Sequence, residues 1–120
     1  MFEGILPKNL NIYATTASRA SESSYGYYCG PNSVVNGTHL DTCLGDEYSI
    51  RWMEYIDSIK ELSKVTLEDQ YEMLRKATVM SQVQQYGDFT MKEEPLSNFF
   101  AKCSVLDYFL GLFAEKETIY

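Results

Sequence analysis

The chain has 120 residues, enough for one domain or for part of one. Hydrophobic residues make up 45% and charged residues 22%, which is typical of a folded globular protein and excludes a disordered, low-complexity chain. The net charge of −7 disfavours nucleic acid and anionic lipid as partners, because like charges repel.

No stretch has the roughly 18 consecutive apolar residues that a membrane span needs. The most apolar segment, at residues 105–114, is short and contains Asp107. The N-terminus lacks a basic run followed by a long apolar core, so we expect no secretory signal peptide in this chain.

The first predicted element is a strand over residues 10–16, where the pattern alternates and β-branched and aromatic side chains are frequent. Residues 18–28 follow; they are rich in Ser, Tyr and Gly and show no periodicity. We therefore predict an irregular loop that leaves the end of the strand.

Cys29 and Cys43 bracket a stretch rich in Gly, Pro, Asn, Ser and Thr, which indicates an exposed loop. A disulfide between them would stabilise the fold by ~3 kcal/mol in the chain-entropy model. Asn36 begins an Asn-Gly-Thr glycosylation sequon within the same loop. A disulfide and a glycan together predict an oxidising, secretory-pathway environment.

Two alternatives to the disulfide stay open. The first is a pair of buried free thiols with an unused sequon. The second is a zinc site formed by Cys29, His39, Cys43 and Cys103, although the sequence has no close Cys-x-x-Cys or His-x-x-x-His pair. For Cys103 itself we expect packing as a small hydrophobic residue.

Two helices are predicted next. The first begins at Gly45-Asp46, with Trp52, Met53, Ile56 and Ile59 on one face. The second begins after Thr66, which we expect to be the N-cap, with Asp69 near the positive helix end. Its predicted inner face consists of Leu67, Tyr71, Leu74 and either Ala77 or Thr78.

A short strand is predicted within residues 81–88, around Val83 and Tyr86, ending at Gly87. Strand, loop, two helices and strand is an α/β order, for which we predict a mainly parallel sheet with flanking helices. The first strand is apolar enough to be central, and two strands cannot complete such a sheet, so we expect only part of a domain. Residues 95–120 contain aromatic clusters and few turn signals, so we treat them as a divergent tail.

Five separated strings resemble the legumain family: GILPKNLNIYATTAS, ESSYGYYC, TCLGDEYSIRWMEYID, TLEDQYEMLRKAT and QYGD. Members of this family are cysteine endopeptidases that cleave after Asn and are called vacuolar processing enzymes in plants. The resemblance covers about residues 1–94. It implies the C-terminal part of a peptidase domain, a partial caspase-like α/β sandwich, a vacuolar or lysosomal location and no cofactor.

The resemblance also implies which parts of the enzyme are missing. The family's catalytic Cys and His lie upstream of the residues that match this chain, and none of Cys29, His39, Cys43 and Cys103 lies in the matching context. We therefore expect no catalytic residue here and no peptide hydrolysis by the chain alone, because a thiolate with a nearby base is required.

The resemblance implies four substrate-binding residues: Ser23, Ser24, Tyr25 and Asp46. Ser23 and Ser24 would form a polar wall, and Tyr25 would lie on an edge that pairs with the substrate backbone. Asp46 would accept hydrogen bonds from the substrate amide beside an upstream Arg. From the residues alone, Asp46 is a helix N-cap worth ~1 kcal/mol and residues 24–26 are a turn-rich loop.

Two rival functions remain at this stage. One is a catalytically dead pseudoenzyme or interaction module that binds partner chains through the half-pocket. The other is a subunit like the catalytic one of glycosylphosphatidylinositol transamidase. The expected substrates of the full enzyme are peptides or proteins with Asn.

Overall fold

A computed structural model describes residues 2–100 of the chain. Two α-helices and six short strands make up this part, together with several single-turn 3₁₀ segments. The strands are β1 (Tyr13–Thr16), β2 (Gly26–Tyr27), β3 (Val34–Val35), β4 (Thr38–His39), β5 (Gly45–Asp46) and β6 (Gln84–Gly87). The helices are α1 (Glu47–Ser58) and α2 (Leu67–Ala77).

The strands form three separate pairs, and each pair is antiparallel: β1 with β6, β2 with β5, and β3 with β4. For the described residues, the prediction of a mainly parallel sheet is therefore wrong. Thr16, at the end of β1, pairs with Gln84, at the start of β6. Two helices lie between these strands, and an even number of helices returns the chain to the sheet end that it left, so β6 runs back along β1.

The β1–β6 pair is shorter than predicted at its outer end. Asn11 has a φ of 51°, which interrupts the extended backbone before Tyr13. Gly87 has a φ of 92°, and a Cβ atom at this position would lie 2.1 Å from the carbonyl oxygen of Ile12. Only glycine fits here, and the chain turns so that the backbone N–H of Asp88 donates to that oxygen at 2.8 Å.

Both predicted helix starts are confirmed. Asp46 caps α1 by accepting from the backbone N–H of Ser49. Thr66 and Asp69 form a reciprocal capping box at the start of α2. Met53, which was predicted on the inner face of α1, is 47% exposed, because it lies about 100° around the helix from Trp52 and off the stripe of positions 52, 56 and 59.

The core lies around α2. Its buried apolar side chains are Tyr71, Leu74, Val83 and Leu96. Leu96 belongs to the predicted tail, and its backbone N–H donates to the carbonyl of Val65 at 2.8 Å. Residues 95–100 thus pack against the start of α2, whereas Cys103 and the rest of the tail lie outside the described residues. Neither described helix is long and apolar enough to cross a membrane.

Candidate functional site

The β2–β5 pair brings two separated segments of the sequence side by side. Gly26 lies opposite Asp46, and the backbone N–H of Glu47 donates to the carbonyl of Tyr25 at 2.9 Å. Ser23, Ser24 and Tyr25 are exposed, and Asp46 is half-buried. The four predicted pocket residues therefore lie on two adjacent stretches of backbone.

The carboxylate of Asp46 is held by Ser49. Its Oδ1 accepts from the Ser49 backbone N–H at 3.0 Å, and its Oδ2 accepts from the Ser49 hydroxyl at 2.6 Å. The N-cap role expected from the residues alone is thus confirmed. Each carboxylate oxygen has a second lone pair, so the cap leaves acceptor capacity for a ligand while fixing the orientation of the group.

Glu47 is a buried acidic residue that the sequence analysis did not single out. It is 2% exposed, and its carboxylate accepts from the backbone N–H groups of Val79 and Met80 at 3.2 and 2.9 Å. Its position in the first turn of α1 is favourable for a negative charge, but many exposed acidic residues also occupy first turns. The position alone therefore does not predict that Glu47 is buried. The contact joins the start of α1 to the segment that follows α2.

A second carboxylate, that of Glu22, binds the same segment. Oε2 of Glu22 accepts from the backbone N–H of Gln82 at 2.9 Å and from that of Arg19 at 3.3 Å. The hydroxyl of Ser81 donates to the carbonyl of Ala17 at 2.6 Å. We call residues 79–82 the anchor segment, because they form hydrogen bonds both with residues that precede Ser23 and with Glu47, which follows Asp46.

The predicted disulfide between Cys29 and Cys43 is present, which excludes the alternative of two free thiols. It also removes two of the thiolates that the zinc alternative required, and residues 2–100 contain no group of three or more His, Cys, Asp or Glu side chains suited to a metal ion. A Cβ atom at Gly26 would lie 2.8 Å from Sγ of Cys43. The disulfide thus packs directly on β2, at the residue opposite Asp46.

The loop between the two cysteines contains a hairpin that the sequence analysis missed. β3 and β4 are joined by Asn36 and Gly37, whose φ angles of 49° and 78° are those of a two-residue type I′ turn. Asn-Gly between β-branched residues is the standard signal for such a hairpin. Asn36 is exposed, as the predicted glycosylation site requires.

Aromatic side chains from α1 lie beside β1. A cavity of about 410 Å³ is lined in part by Tyr13, Thr15, Tyr48 and Trp52. The hydroxyls of Tyr48 and Thr15 lie 2.5 Å apart, and burial raises the pKa of Tyr48 above its ordinary value. The cavity wall is aromatic and does not include Asp46.

Comparison with known proteins defines the family to which this chain belongs. Residues 1–102 match the Peptidase C13 family. This match covers most of the chain, and the chain therefore belongs to the Peptidase C13 family, as the resemblance to legumain predicted.

The curated relatives are plant enzymes of that family. The chain is 47% identical over 103 residues to vacuolar-processing enzyme beta-isozyme 1 of Oryza sativa subsp. japonica, a match that covers 80% of this chain and 20% of that protein. It is 44% identical over 103 residues to legumain of Canavalia ensiformis, covering 80% of this chain and 22% of the relative. The chain thus spans about a fifth of the length of these relatives.

Proposed function

We propose that this chain is part of a legumain-type cysteine endopeptidase that cleaves proteins after Asn, and that it supplies one wall of the Asn pocket. The observation that carries the proposal is the β2–β5 pairing, which sets Gly26 opposite Asp46 and joins Tyr25 to Glu47, so that residues 23–25 lead directly into the strand that pairs with Asp46. In the complete enzyme, β1 would take its place in a caspase-like sandwich. The substrates would be peptides or proteins with accessible Asn residues.

The chemistry of an asparagine side chain suits this wall. Its amide has an NH₂ end that needs acceptors and a carbonyl end that needs a donor. The Asp46 carboxylate, oriented by Ser49, offers acceptors, and the hydroxyls of Ser23 and Ser24 can both donate and accept. An upstream Arg would balance the charge of Asp46. Tyr25 would present backbone groups to the substrate chain.

The nucleophile and its base would come from another part of the enzyme. Cys29 and Cys43 are joined to each other, and Nε2 of His39 lies 2.7 Å from the carbonyl oxygen of Gly30. This arrangement supports the proposal that the 120-residue chain alone does not hydrolyse peptides, because a cysteine protease needs a free thiolate next to a base.

The compartment we propose is the vacuole or lysosome, reached through the secretory pathway. Several of the relatives are named vacuolar-processing enzymes, and the disulfide suits an oxidising route to that compartment. We also propose an N-glycan on Asn36, whose exposed position on a hairpin tip gives access to the sugar transfer machinery.

A chimera tests the proposed function directly. The part of this chain that matches the rice relative would replace the matching segment of that relative, which retains the upstream part of its own sequence. We expect the chimera to cleave a peptide after Asn in a thiol-dependent way and the free 120-residue chain to leave it intact. The unmodified rice enzyme is the control, and circular dichroism establishes that the chimera folds. A folded chimera that does not cleave after Asn contradicts the proposal and favours a pseudoenzyme or interaction module.

A further inference from the structure

The tip of the β3–β4 hairpin presents an asparagine followed by a glycine. Asn36 and Gly37 are both exposed, and no atom lies within 4 Å of the position where a Cβ at Gly37 would be. The flanking Val34 and Val35 are 47% and 45% exposed, although valine is usually buried. The peptide bond after Asn36 therefore lies on the open side of the hairpin.

This tip needs little energy to open. Each strand of the hairpin has only two residues, and an isolated two-stranded hairpin is marginally stable. Proteolysis of folded chains follows the population of locally opened states, which is largest in such segments. A protease that binds extended peptide can therefore reach residues 34–39 without unfolding the rest of the chain.

The base of the hairpin is built differently. Ser33 is completely buried, and its hydroxyl lies between the carbonyls of Gly30 and Leu40. The backbone N–H of Leu40 donates to the Ser33 carbonyl at 2.8 Å. These hydrogen bonds hold the base of the hairpin closed, so the tip can open while the base stays intact. The Cys29–Cys43 disulfide also joins the two ends of the loop covalently.

We propose that the Asn36–Gly37 bond is a processing site for an asparaginyl endopeptidase and that the two products remain joined by the Cys29–Cys43 disulfide. This inference rests on the proposed function for the Asn specificity of the enzyme. Water is added across the bond: the C–N bond breaks, Asn36 gains a carboxylate and Gly37 gains an amino group. A glycan on Asn36 would occupy the side-chain nitrogen that the protease must bind, so glycosylation and cleavage compete for one residue.

The cut would leave the candidate pocket in place. The disulfide packs on Gly26, and Gly26 pairs with Asp46, so the contact between β2 and β5 does not depend on the hairpin tip. The product is a two-chain form whose loop ends are free while Gly26 stays paired with Asp46. Cleavage would therefore make the loop more accessible and would leave the candidate pocket wall unchanged.

Asn32 provides an internal comparison. It is exposed like Asn36, but the residue after it is the buried Ser33, whose backbone N–H donates to the carbonyl of Gly30 at 3.0 Å. Cleavage after Asn32 requires the base of the hairpin to open. We expect cleavage at Asn36 to be at least about tenfold faster than at Asn32, because the open state of the tip is more populated.

The test uses the oxidised, unglycosylated 120-residue chain and an added asparaginyl endopeptidase. A synthetic peptide with the sequence of residues 33–39 is digested in parallel to show that the protease is active. We expect the mass of the chain to rise by one water without reduction and two fragments, residues 1–36 and 37–120, to separate after reduction. Asn36→Gln should abolish this cut, whereas Thr38→Ala, which destroys only the sequon, should preserve it.

Two results would overturn the inference: digestion of the synthetic peptide while the chain stays uncut after Asn36, and cleavage after Asn32 at least as fast as after Asn36. Because the protease in this test is a separate enzyme, neither result changes what we expect from the chimera experiment. Conversely, an inactive chimera would not affect the cleavage of this chain by another asparaginyl endopeptidase. The two proposals can therefore fail separately.

Discussion

Replacing Glu47 by alanine is expected to lower the free energy of unfolding by about 3 kcal/mol. The substitution removes a carboxylate that is 2% exposed and leaves the backbone N–H groups of Val79 and Met80 without their acceptor. Hydrogen bonds to a charged group contribute about 1.5–3 kcal/mol each, and a buried donor without a partner is costly. Urea unfolding followed by circular dichroism measures the change.

Two variants sharpen this measurement. Glu47→Gln keeps one side-chain acceptor and should lose about half as much stability as Glu47→Ala. Asp57→Ala removes an exposed carboxylate from the same helix and should change the free energy of unfolding by no more than about 0.5 kcal/mol. If Glu47→Ala and Asp57→Ala had equal effects, Glu47 would not anchor residues 79–82 in solution.

Replacing Asp46 by asparagine in the rice chimera is expected to reduce kcat/KM for cleavage after Asn by roughly 10²-fold. Asparagine is as good an N-cap as aspartate, so the start of α1 should be preserved. The new side chain, however, offers an NH₂ group where the substrate amide needs an acceptor, and two donors then face each other. Steady-state kinetics on a short Asn-containing peptide give the ratio.

The control for this substitution separates the capping role from the pocket role. Asp46→Ala removes both, so it should lower the free energy of unfolding by about 1 kcal/mol in addition to the loss of activity. If Asp46→Asn retained the activity of the unsubstituted chimera and Asp46→Ala lost stability alone, Asp46 would be only a helix cap. The proposed Asn pocket would then have to be formed by other residues.

Features encoded by neighbouring residues could be predicted from the sequence. The N-caps at Asp46 and Thr66 depend on side chains three residues from their partners, and both are confirmed. The disulfide was predicted because its cysteines flank a loop-forming composition. The hairpin at Asn36-Gly37 has an equally local signal, the Asn-Gly pair between β-branched residues, and was therefore predictable although no hairpin was predicted there.

Features that depend on distant residues could not be predicted in this way. Glu47 binds backbone groups 32 and 33 residues away, and Glu22 binds one that is 60 residues away. No pattern in the sequence distinguishes these carboxylates from solvated ones, because their partners are main-chain N–H groups that every residue except proline has. The direction of β6 likewise follows from the path of two helices and not from the residues of the strand.

The anchor segment suggests why residues 22–25 and 46–47 keep their relative position. Glu22 precedes the predicted serine wall, Glu47 follows the predicted carboxylate, and both bind residues 79–82. The disulfide holds the opposite side of the β2–β5 pair through Gly26. A two-residue strand pair alone would be weak, so we expect these three contacts to stabilise it.

The most direct measurement is a crystal structure of the rice chimera with a peptide that ends in Asn bound in its active site. We expect the side-chain amide of that Asn within about 3.2 Å of a carboxylate oxygen of Asp46, with the hydroxyl of Ser23 or Ser24 lining the same cavity. A bound Asn side chain held by other residues, with the Asp46 carboxylate and the two serines facing away from it, would contradict the pocket described here.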